Sequence, residues 1–226
     1  MITLHVEAPY ASFRKSFARS FAETYSLPPP ATVYGMLLSL VGEHFRDRHE
    51  GVRLAFAHKR MPRISTTLRK LSRYKYGVPS KQSSLGKPDF IETLCGIEFL
   101  CWVDSAQEMR DGNGQAKGDN LEKRLLIALR DPQQITRRGI VYLGLSDDAV
   151  NDISICDKID GRWHRLLPDS RGRLELPIWA DHVRGFDTRW QRYEFESEAR
   201  ELTESPGSDE WKWTEINDPR KRTEEV

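Results

Sequence analysis

Three stretches of the chain alternate apolar with polar residues, and this period of two predicts β-strands. They span residues 2–6, 52–58 and 97–103. A fourth stretch, 139–145, is rich in β-branched and aromatic residues and predicts a fourth strand. In the third stretch, Leu100 and Trp102 occupy positions between the other apolar residues. We therefore expect the second face of that strand to pack under another element.

Two helices are predicted between these strands. Pro28, Pro29 and Pro30 end an extended segment and Thr32 is a good N-cap, so a helix is expected from Val33. Its apolar face follows three- and four-residue spacing at Val33, Met36, Leu37, Leu40, Val41 and His44. A second helix is expected from near Asn120 to near Pro132.

The order strand, helix, strand, strand, helix, strand is that of ferredoxin-like and RNA-recognition folds. The predicted class is therefore α+β, with a ferredoxin-like, RRM-type βαββαβ core over residues 1–150 and an inserted basic segment at 59–89. Short strands at 153–159, 163–167 and 174–179 predict a β-rich C-terminal elaboration over 151–193. The acidic segment 194–226 loses periodicity and is expected to be partly disordered.

The net charge of +1 conceals an uneven distribution along the chain. Residues 1–88 carry 15 Lys and Arg against 5 Asp and Glu, whereas residues 194–226 carry 5 against 11. Between 51 and 88 there are ten basic residues and no acidic one. A basic front half indicates an anionic partner, and the simpler alternative is a solvated basic face with no partner.

Cations and aromatic rings are interleaved in the N-terminal loop and again in the basic insertion. Such a pattern pairs groups that bind phosphate with rings on which unpaired bases stack. In the segment from Arg137, the glycines at 139 and 144 would let backbone N–H groups approach phosphates. Alternatively, Gly144 marks a strand bulge, and Arg137 and Arg138 are simply solvated. The candidate RNA-binding residues are Tyr10, Phe13, Arg14, Lys15, Arg19, Tyr34, Lys59, Arg60, Arg63, Arg69, Lys70, Arg73, Tyr74, Lys75, Arg137 and Arg138.

Several classes of site are disfavoured by the sequence. Cys95, Cys101 and Cys156 are odd in number and lack C-x-x-C spacing, so neither a disulfide framework nor a zinc site is indicated, and a reducing cytoplasm is expected. There is no Walker loop, H-E-x-x-H motif or dinucleotide fingerprint, so we expect no cofactor. Prolines interrupt the uncharged run 24–42, and no signal peptide or transmembrane helix is evident.

Two motifs resemble a known family when taken together. SLPPPATVYGMLLSLVG at 26–42, preceded by a short strand and an F-R loop, and LRDP at 129–132 followed by RRGIVYLGLS at 137–146 resemble the fifth CRISPR-associated (Cas) protein family. That family belongs to the RAMP superfamily, and its Dev-type branch is the most similar. The resemblance covers roughly residues 1 to 160.

The resemblance implies a role in RNA-guided antiviral defence. Members of the family bind the 5′ handle of the CRISPR guide RNA and cap the backbone subunits of a Cascade-type effector. The implied partners are the guide RNA, the backbone and large subunits and, indirectly, target DNA. The insertion corresponds to the family's thumb hairpin, which packs against guide RNA where the handle meets the spacer. We expect a non-catalytic, RNA-binding subunit.

Two alternatives remain open at the level of sequence. Some family members cut precursor RNA without metal, using a tyrosine, a lysine and a histidine. The candidates here are His58, Lys59 and Tyr74 or Tyr76. His58 and Lys59 are adjacent, however, and adjacent residues on a strand point to opposite faces. The other alternative is a protein-interaction scaffold that uses the acidic tail and tryptophan surfaces. Those tryptophans are Trp163, Trp179, Trp190, Trp211 and Trp213.

Overall fold

The fold is α+β, with two helices packed on a mostly antiparallel sheet in the part of the chain that can be described. A computed structural model describes residues 1–18, 21–71, 87–108, 119–181, 187–203 and 206–218. In chain order the elements are β1 (Ile2–Ala11), β2 (Phe21–Ala22), α1 (Pro30–Leu40), β3 (Arg53–His58), β4 (Arg63–Leu71), β5 (Lys87–Asp104), α2 (Leu121–Arg130), a 3-10 turn (Pro132–Gln134), β6 (Asp152–Ile155), β7 (Arg162–Pro168), β8 (Leu174–Trp179), β9 (Arg189–Phe195), β10 (Arg200–Glu201) and β11 (Thr214–Glu215).

The sheet is built around the long strand β5. Its second half lies between β1 and β3, and the strand order across the main sheet is β6-β1-β5-β3-β7-β9-β8. The first half of β5 extends beyond β3 and pairs with β4 as a hairpin arm, while the short β2 runs parallel to it. The core strands predicted at 52–58 and 97–103 are confirmed, although the second is longer than its alternating pattern indicated.

Both helices pack on one face of the sheet, where the main hydrophobic core forms. Leu4 and Val6 from β1, Val33 and Leu37 from α1, and Leu125 from α2 are completely buried there. Asn120 caps α2 by accepting a hydrogen bond from the Lys123 backbone N–H at 2.9 Å, so the predicted start of this helix is confirmed.

The boundaries of α1 differ from the prediction at both ends. The helix begins at Pro30 rather than Val33, because proline is tolerated in the first turn, where its missing N–H leaves no bond unmade. It ends at Leu40, so His44 lies outside it and is exposed. Gly42 follows the end with a φ of 69°, and a Cβ there would lie 2.4 Å from the Thr136 carbonyl oxygen. Only glycine fits this position without displacement of the backbone.

The fourth core strand was predicted in the wrong place. Residues 139–145 form a loop with a single bridge between Tyr142 and Ala149. The strand that pairs with β1 is β6, in which Leu4 pairs with Ile155 and Glu7 with Asp152. The β-branched residues of 139–145 favour a strand locally, but β1 has only one free edge and β6 occupies it.

The second face of β5 is covered by the C-terminal part of the chain. Leu100 and Trp102 pack with Ala55, Ala57, Trp163 and Trp211, as the apolar second face predicted. The Trp102 and Trp211 rings meet edge to face with centroids 4.7 Å apart. Trp211 belongs to the acidic segment expected to be partly disordered, yet its side chain is completely buried and the nearby β11 pairs with β3.

The strands predicted at 163–167 and 174–179 correspond to β7 and β8, whereas β9 was not predicted. The β9 sequence RWQRYEF is mostly polar and charged, so its pattern gave little indication of a strand. Three of the proposed scaffold tryptophans, Trp163, Trp179 and Trp211, are buried rather than exposed, so they belong to the core. Among the helices that are described, none is long and apolar enough to cross a membrane.

A buried ion network joins the segment after α1 to α2. Arg124 of α2 donates to Glu43 Oε2 at 2.6 Å and contacts His49 Nε2 at 2.7 Å. Burial of the Glu43 carboxyl by itself would raise its pKa, but hydrogen bonds from the Phe45 N–H and Arg124 outweigh burial and lower the pKa to about 2. The Glu43 carboxylate therefore stays charged at neutral pH and holds the segment after α1 against α2.

Candidate nucleic-acid interface

Three segments singled out in the sequence meet at one end of the sheet. In the strand register, Ile2 pairs with Val103 and Ala11 with Leu94, while His58 pairs with Phe99, so β1 and β3 run toward the same end. The loop after β1, the β4–β5 hairpin and the segment around Gly144 all lie there. We call this region the loop-end surface and define it as residues 12–18, 21–27, 59–71, 87–93 and 142–149.

The aromatic loop after β1 is fixed to the hairpin by three contacts. Ser12 Oγ lies 3.0 Å from Thr93 Oγ1, and the Thr24 backbone N–H donates to Glu92 Oε2 at 3.0 Å. The rings of Phe21 and Phe90 stack with centroids 6.4 Å apart. The loop is thereby held in one conformation next to the basic hairpin.

The glycine-containing segment is fixed to the same end by Asp148. Its Oδ2 accepts the Ser12 N–H at 2.7 Å and the Leu145 N–H at 2.9 Å. Gly144 has a φ of 108°, and a Cβ there would lie 2.7 Å from the Ser12 carbonyl oxygen. Burial raises the pKa of the Asp148 carboxyl, against the effect of its two N–H donors. Glycine is required at position 144 because a side chain there would clash with the Ser12 backbone, which directly follows β1.

An ion pair joins the hairpin to the glycine-containing segment. Arg69 of β4 lies 2.9 Å from the Asp147 carboxylate. Together with the Asp148 hydrogen bonds, this contact places the hairpin near Arg69 and the segment near Asp148 on one surface. The three motifs are far apart in the chain, and the sheet together with these side-chain contacts makes them neighbours.

Several candidate cations are exposed on this surface. Arg60 and Arg63 have exposed side chains there. Arg137 and Arg138 are also exposed, but they follow Thr136, which lies against Gly42 beyond the end of α1. The Arg14 guanidinium donates to the Ala18 carbonyl at 2.7 Å, which curls the aromatic loop. Cations grouped on one surface can neutralise successive phosphates of a nucleic-acid strand.

Lys15 and Lys59 have local partners. Lys15 pairs with Glu23 at 3.2 Å and lies 5.7 Å from the centre of the Phe17 ring. Lys59 lies over the Trp163 ring at 4.5 Å, which directs it toward the second face of the sheet. Lys59 therefore lies apart from the arginines that follow it.

Two candidate aromatic residues are part of the core. Phe13 is 4% exposed, and Tyr34 is 0% exposed with its hydroxyl donating to the Arg46 carbonyl at 2.7 Å. Neither ring can stack on a base in this structure, because each is enclosed by protein. Tyr10, by contrast, is exposed at the end of β1. Arg19, Arg73, Tyr74 and Lys75 lie outside the described residues, as does the side chain of Lys70.

An exposed apolar row crosses the hairpin and was not found from the sequence. Leu68 pairs with Phe90, and Phe90 pairs with Phe21, so the three side chains share one face of neighbouring strands. Each is more than two-fifths exposed. A strand pattern for 63–71 could have indicated this face, but the density of basic residues concealed the alternation. Apolar side chains exposed together are typical of a binding surface.

Comparison with known proteins identifies the family. Residues 1–114, half of the chain, match the family model described as CRISPR-associated protein (Cas_Cas5). A protein of Myxococcus xanthus (strain DK1622), described as CRISPR-associated protein Cas5, is 39% identical over 199 residues, covering 86% of this chain and 88% of the relative. The chain belongs to the Cas5 family of CRISPR-associated proteins.

The fold of this Cas5 family member is also found in a solved structure. A chain from a CRISPR RNA-guided surveillance complex superposes with a TM-score of 0.59, covering 92% of this chain and 95% of that chain. The sequence identity is 13%, so this likeness shows a shared fold and no more. The resemblance stated from the two motifs is confirmed.

The histidine considered for RNA cleavage is buried in this Cas5 family member. His58 is 1% exposed, and its ring lies 5.5 Å from Phe99 and 6.2 Å from Phe195 between centroids. Burial, with a smaller contribution from His164, lowers the pKa of His58 to about 3. The imidazole therefore stays neutral at physiological pH and is enclosed away from any substrate.

Substitution of Asp148 by alanine is expected to cost about 2 kcal/mol of folding free energy and to weaken RNA binding. The reason is that the buried N–H of Ser12 and the partly buried N–H of Leu145 lose their acceptor, and the glycine-containing segment is released. Urea unfolding measures the first effect, and fluorescence anisotropy with labelled guide RNA measures the second.

Asp147→Asn is the matched control for this substitution. It removes only the exposed ion pair with Arg69, which is worth less than about 1 kcal/mol. Equal stability of Asp148→Ala and Asp147→Asn would show that Asp148 does not anchor the segment.

Proposed function

We propose that this Cas5 family member binds the 5′ handle of a CRISPR guide RNA and caps the backbone subunits of a Cascade-type effector, without cutting RNA. The observation that supports this proposal best is the convergence of three separate sequence motifs on the loop-end surface. Exposed arginines, a fixed aromatic loop and a glycine-containing segment are the groups needed to hold one RNA strand by its phosphates and bases.

The location of the proposed RNA site follows from which surfaces are free. In an RNA-recognition fold, the face of the sheet away from the helices stacks the bases. In this chain the corresponding face is covered at Trp102 by Trp211. RNA would therefore be held at the end of the sheet, by the loops and the hairpin, rather than across its face.

The ferredoxin-like core is part of the same proposal. The elements β1, α1, β3, β5, α2 and β6 occur in the order strand, helix, strand, strand, helix, strand. Their strands lie in the order β6-β1-β5-β3, and each neighbouring pair is antiparallel. This arrangement supports a ferredoxin-like core with β6 as its fourth strand.

Capping of a neighbouring subunit is supported by the apolar row on the hairpin. Phe21, Phe90 and Leu68 are exposed side by side, and burying them against protein is favourable. The arginines on the same surface would remain for RNA. In this proposal the hairpin contacts RNA and a protein subunit at once.

A non-catalytic role is supported by the environment of His58. A general base must reach the 2′-hydroxyl that it deprotonates, and a buried imidazole with a pKa of about 3 cannot do so. Tyr74 and Tyr76, the other residues considered for cleavage, lie outside the described residues.

The proposal is tested by measuring binding of guide RNA with and without its 5′ handle. We expect the purified full-length protein to bind the intact guide at least tenfold more tightly, with log affinity falling linearly against log salt by about 0.7 per neutralised phosphate. The RNA recovered from the same reaction, run in EDTA, should be intact. Equal affinity for the two RNAs would refute handle recognition, and clean cleavage in EDTA would favour the ribonuclease alternative.

A further inference from the structure

A histidine and two glutamates from different strands meet on the sheet face opposite the helices. His5 and Glu7 belong to β1 and Glu98 to β5. One donor atom from each, the His5 Nε2 and a carboxylate oxygen of each glutamate, lies within 4.8 Å of the others. We infer that these three side chains bind a divalent cation with zinc-like ligand preferences.

The donor atoms are already close to the separation that a metal requires. His5 Nε2 lies 3.4 Å from Glu98 Oε1 and 3.9 Å from Glu7 Oε1. Tetrahedral bonds of about 2.0–2.2 Å place neighbouring ligand atoms roughly 3.3–3.6 Å apart. A rotation within the Glu7 side chain would bring all three donor atoms to these separations. Imidazole nitrogens and carboxylate oxygens are both zinc ligands.

The strand register gives an independent electrostatic reason for a bound cation. Glu7 and Glu98 are direct cross-strand partners, and like charges in that position repel. Asp152 of β6 is the partner of Glu7 on its other side, so three carboxylates lie in one row. A row of this kind is destabilising unless positive charge lies against it.

No lysine or arginine among the described residues forms an ion pair with Glu7 or Glu98. Within the described residues, the ion pairs of Glu7 and Glu98 run only to His5, whose imidazole is neutral unless it is protonated. Lys59 donates its backbone N–H to the Glu98 carbonyl, but its ammonium group lies over the Trp163 ring at 4.5 Å. A divalent cation would neutralise the paired carboxylates and use the imidazole as its third ligand.

The site would be preorganised because its ligands lie on the central strands. β1 and β5 pair from Ile2 with Val103 to Ala11 with Leu94, and the His5 and Trp163 rings lie nearly perpendicular with centroids 6.0 Å apart. A bound cation would join β1 to β5 and stabilise the folded chain. This role is separate from RNA binding at the loop-end surface.

The test is calorimetric titration of ZnCl2 into the chelator-treated full-length protein. We expect one tight equivalent in the wild type, at least tenfold weaker binding in Glu98→Gln and in His5→Gln, and unchanged binding in Glu175→Gln. Glu175 is a suitable control because it is half-exposed on β8 and contacts Arg192 instead. Zinc should also raise the melting temperature of the wild type and the control, and raise that of Glu98→Gln much less.

Nitrogen NMR of the His5 ring distinguishes binding of a metal cation from protonation of the imidazole. Metal binding would shift the Nε2 resonance on addition of zinc and leave the ring neutral. Wild-type zinc binding equal to that of Glu98→Gln, or a His5 ring that titrates as an imidazolium and ignores zinc, would overturn the site.

Discussion

Replacing Arg60 and Arg63 together by glutamate should weaken guide RNA binding at least tenfold while leaving the fold intact. Both side chains are exposed on the loop-end surface, and neither makes an ion pair with any described residue. The substitution therefore removes positive charge without breaking an internal contact. If each arginine neutralises one phosphate, the dependence of log affinity on log salt should also become shallower by about 1.4. Fluorescence anisotropy across a salt series measures both quantities.

The matched control is Arg171→Glu with Arg173→Glu, which changes the net charge equally. These arginines are exposed in the turn between β7 and β8. Because β7 runs antiparallel to β3, with His164 opposite His58, that turn lies at the other end of the sheet. Equal losses of affinity in the two double variants would mean that net charge, and not the loop-end surface, governs binding. Unchanged affinity in Arg60→Glu with Arg63→Glu would leave the scaffold alternative standing.

Trp211→Ala should lower the free energy of unfolding by about 3–5 kcal/mol, the usual cost of truncating a large buried aromatic residue. The Trp211 side chain is completely buried, meets Trp102 edge to face and lies 5.6 Å from the Arg165 guanidinium. Its loss would leave a cavity on the second face of the sheet and expose Leu100 and Trp102. For a chain of this length the melting temperature should fall by roughly 10 °C.

Phe45→Ala is the control for a large aromatic residue that does not pack. Phe45 is 69% exposed, so its removal should change stability by less than about 0.5 kcal/mol. Differential scanning calorimetry compares the two variants. A Trp211→Ala protein as stable as Phe45→Ala would mean that the C-terminal segment does not cover the sheet in solution.

The elements predicted well are those with a strong local pattern. The alternation of β3 and the Asn120 cap of α2 both correspond to observed elements, because side-chain period and capping are local properties. Residues 139–145 were predicted wrongly because their strand propensity competes with β6 for the same edge of β1. That competition is a property of the assembled sheet and leaves no mark on the segment itself.

The sequence predicted which kinds of residue form the candidate site, but not which individual residues lie on its surface. The density of arginine and aromatic residues along the chain is enough to indicate a surface for nucleic acid. Which aromatic residues face solvent could not be deduced, since Phe13 and Tyr34 are buried while Phe21 and Phe90 form an exposed stack. Burial depends on what packs above a residue, and for these rings the covering residues come from distant parts of the chain.

The amino-acid sequence by itself determined the family, the α+β class and the basic character of the front half, because all three are carried by contiguous motifs and composition. Only the tertiary structure decided that Ser12, Arg69 and Asp148 share one surface, that Trp211 closes the opposite face, and that His5 and Glu98 are neighbours. These contacts join residues that are tens of positions or more apart. Strand register and the packing of loops on the sheet set such distances, and both depend on the whole fold rather than on any one segment of it.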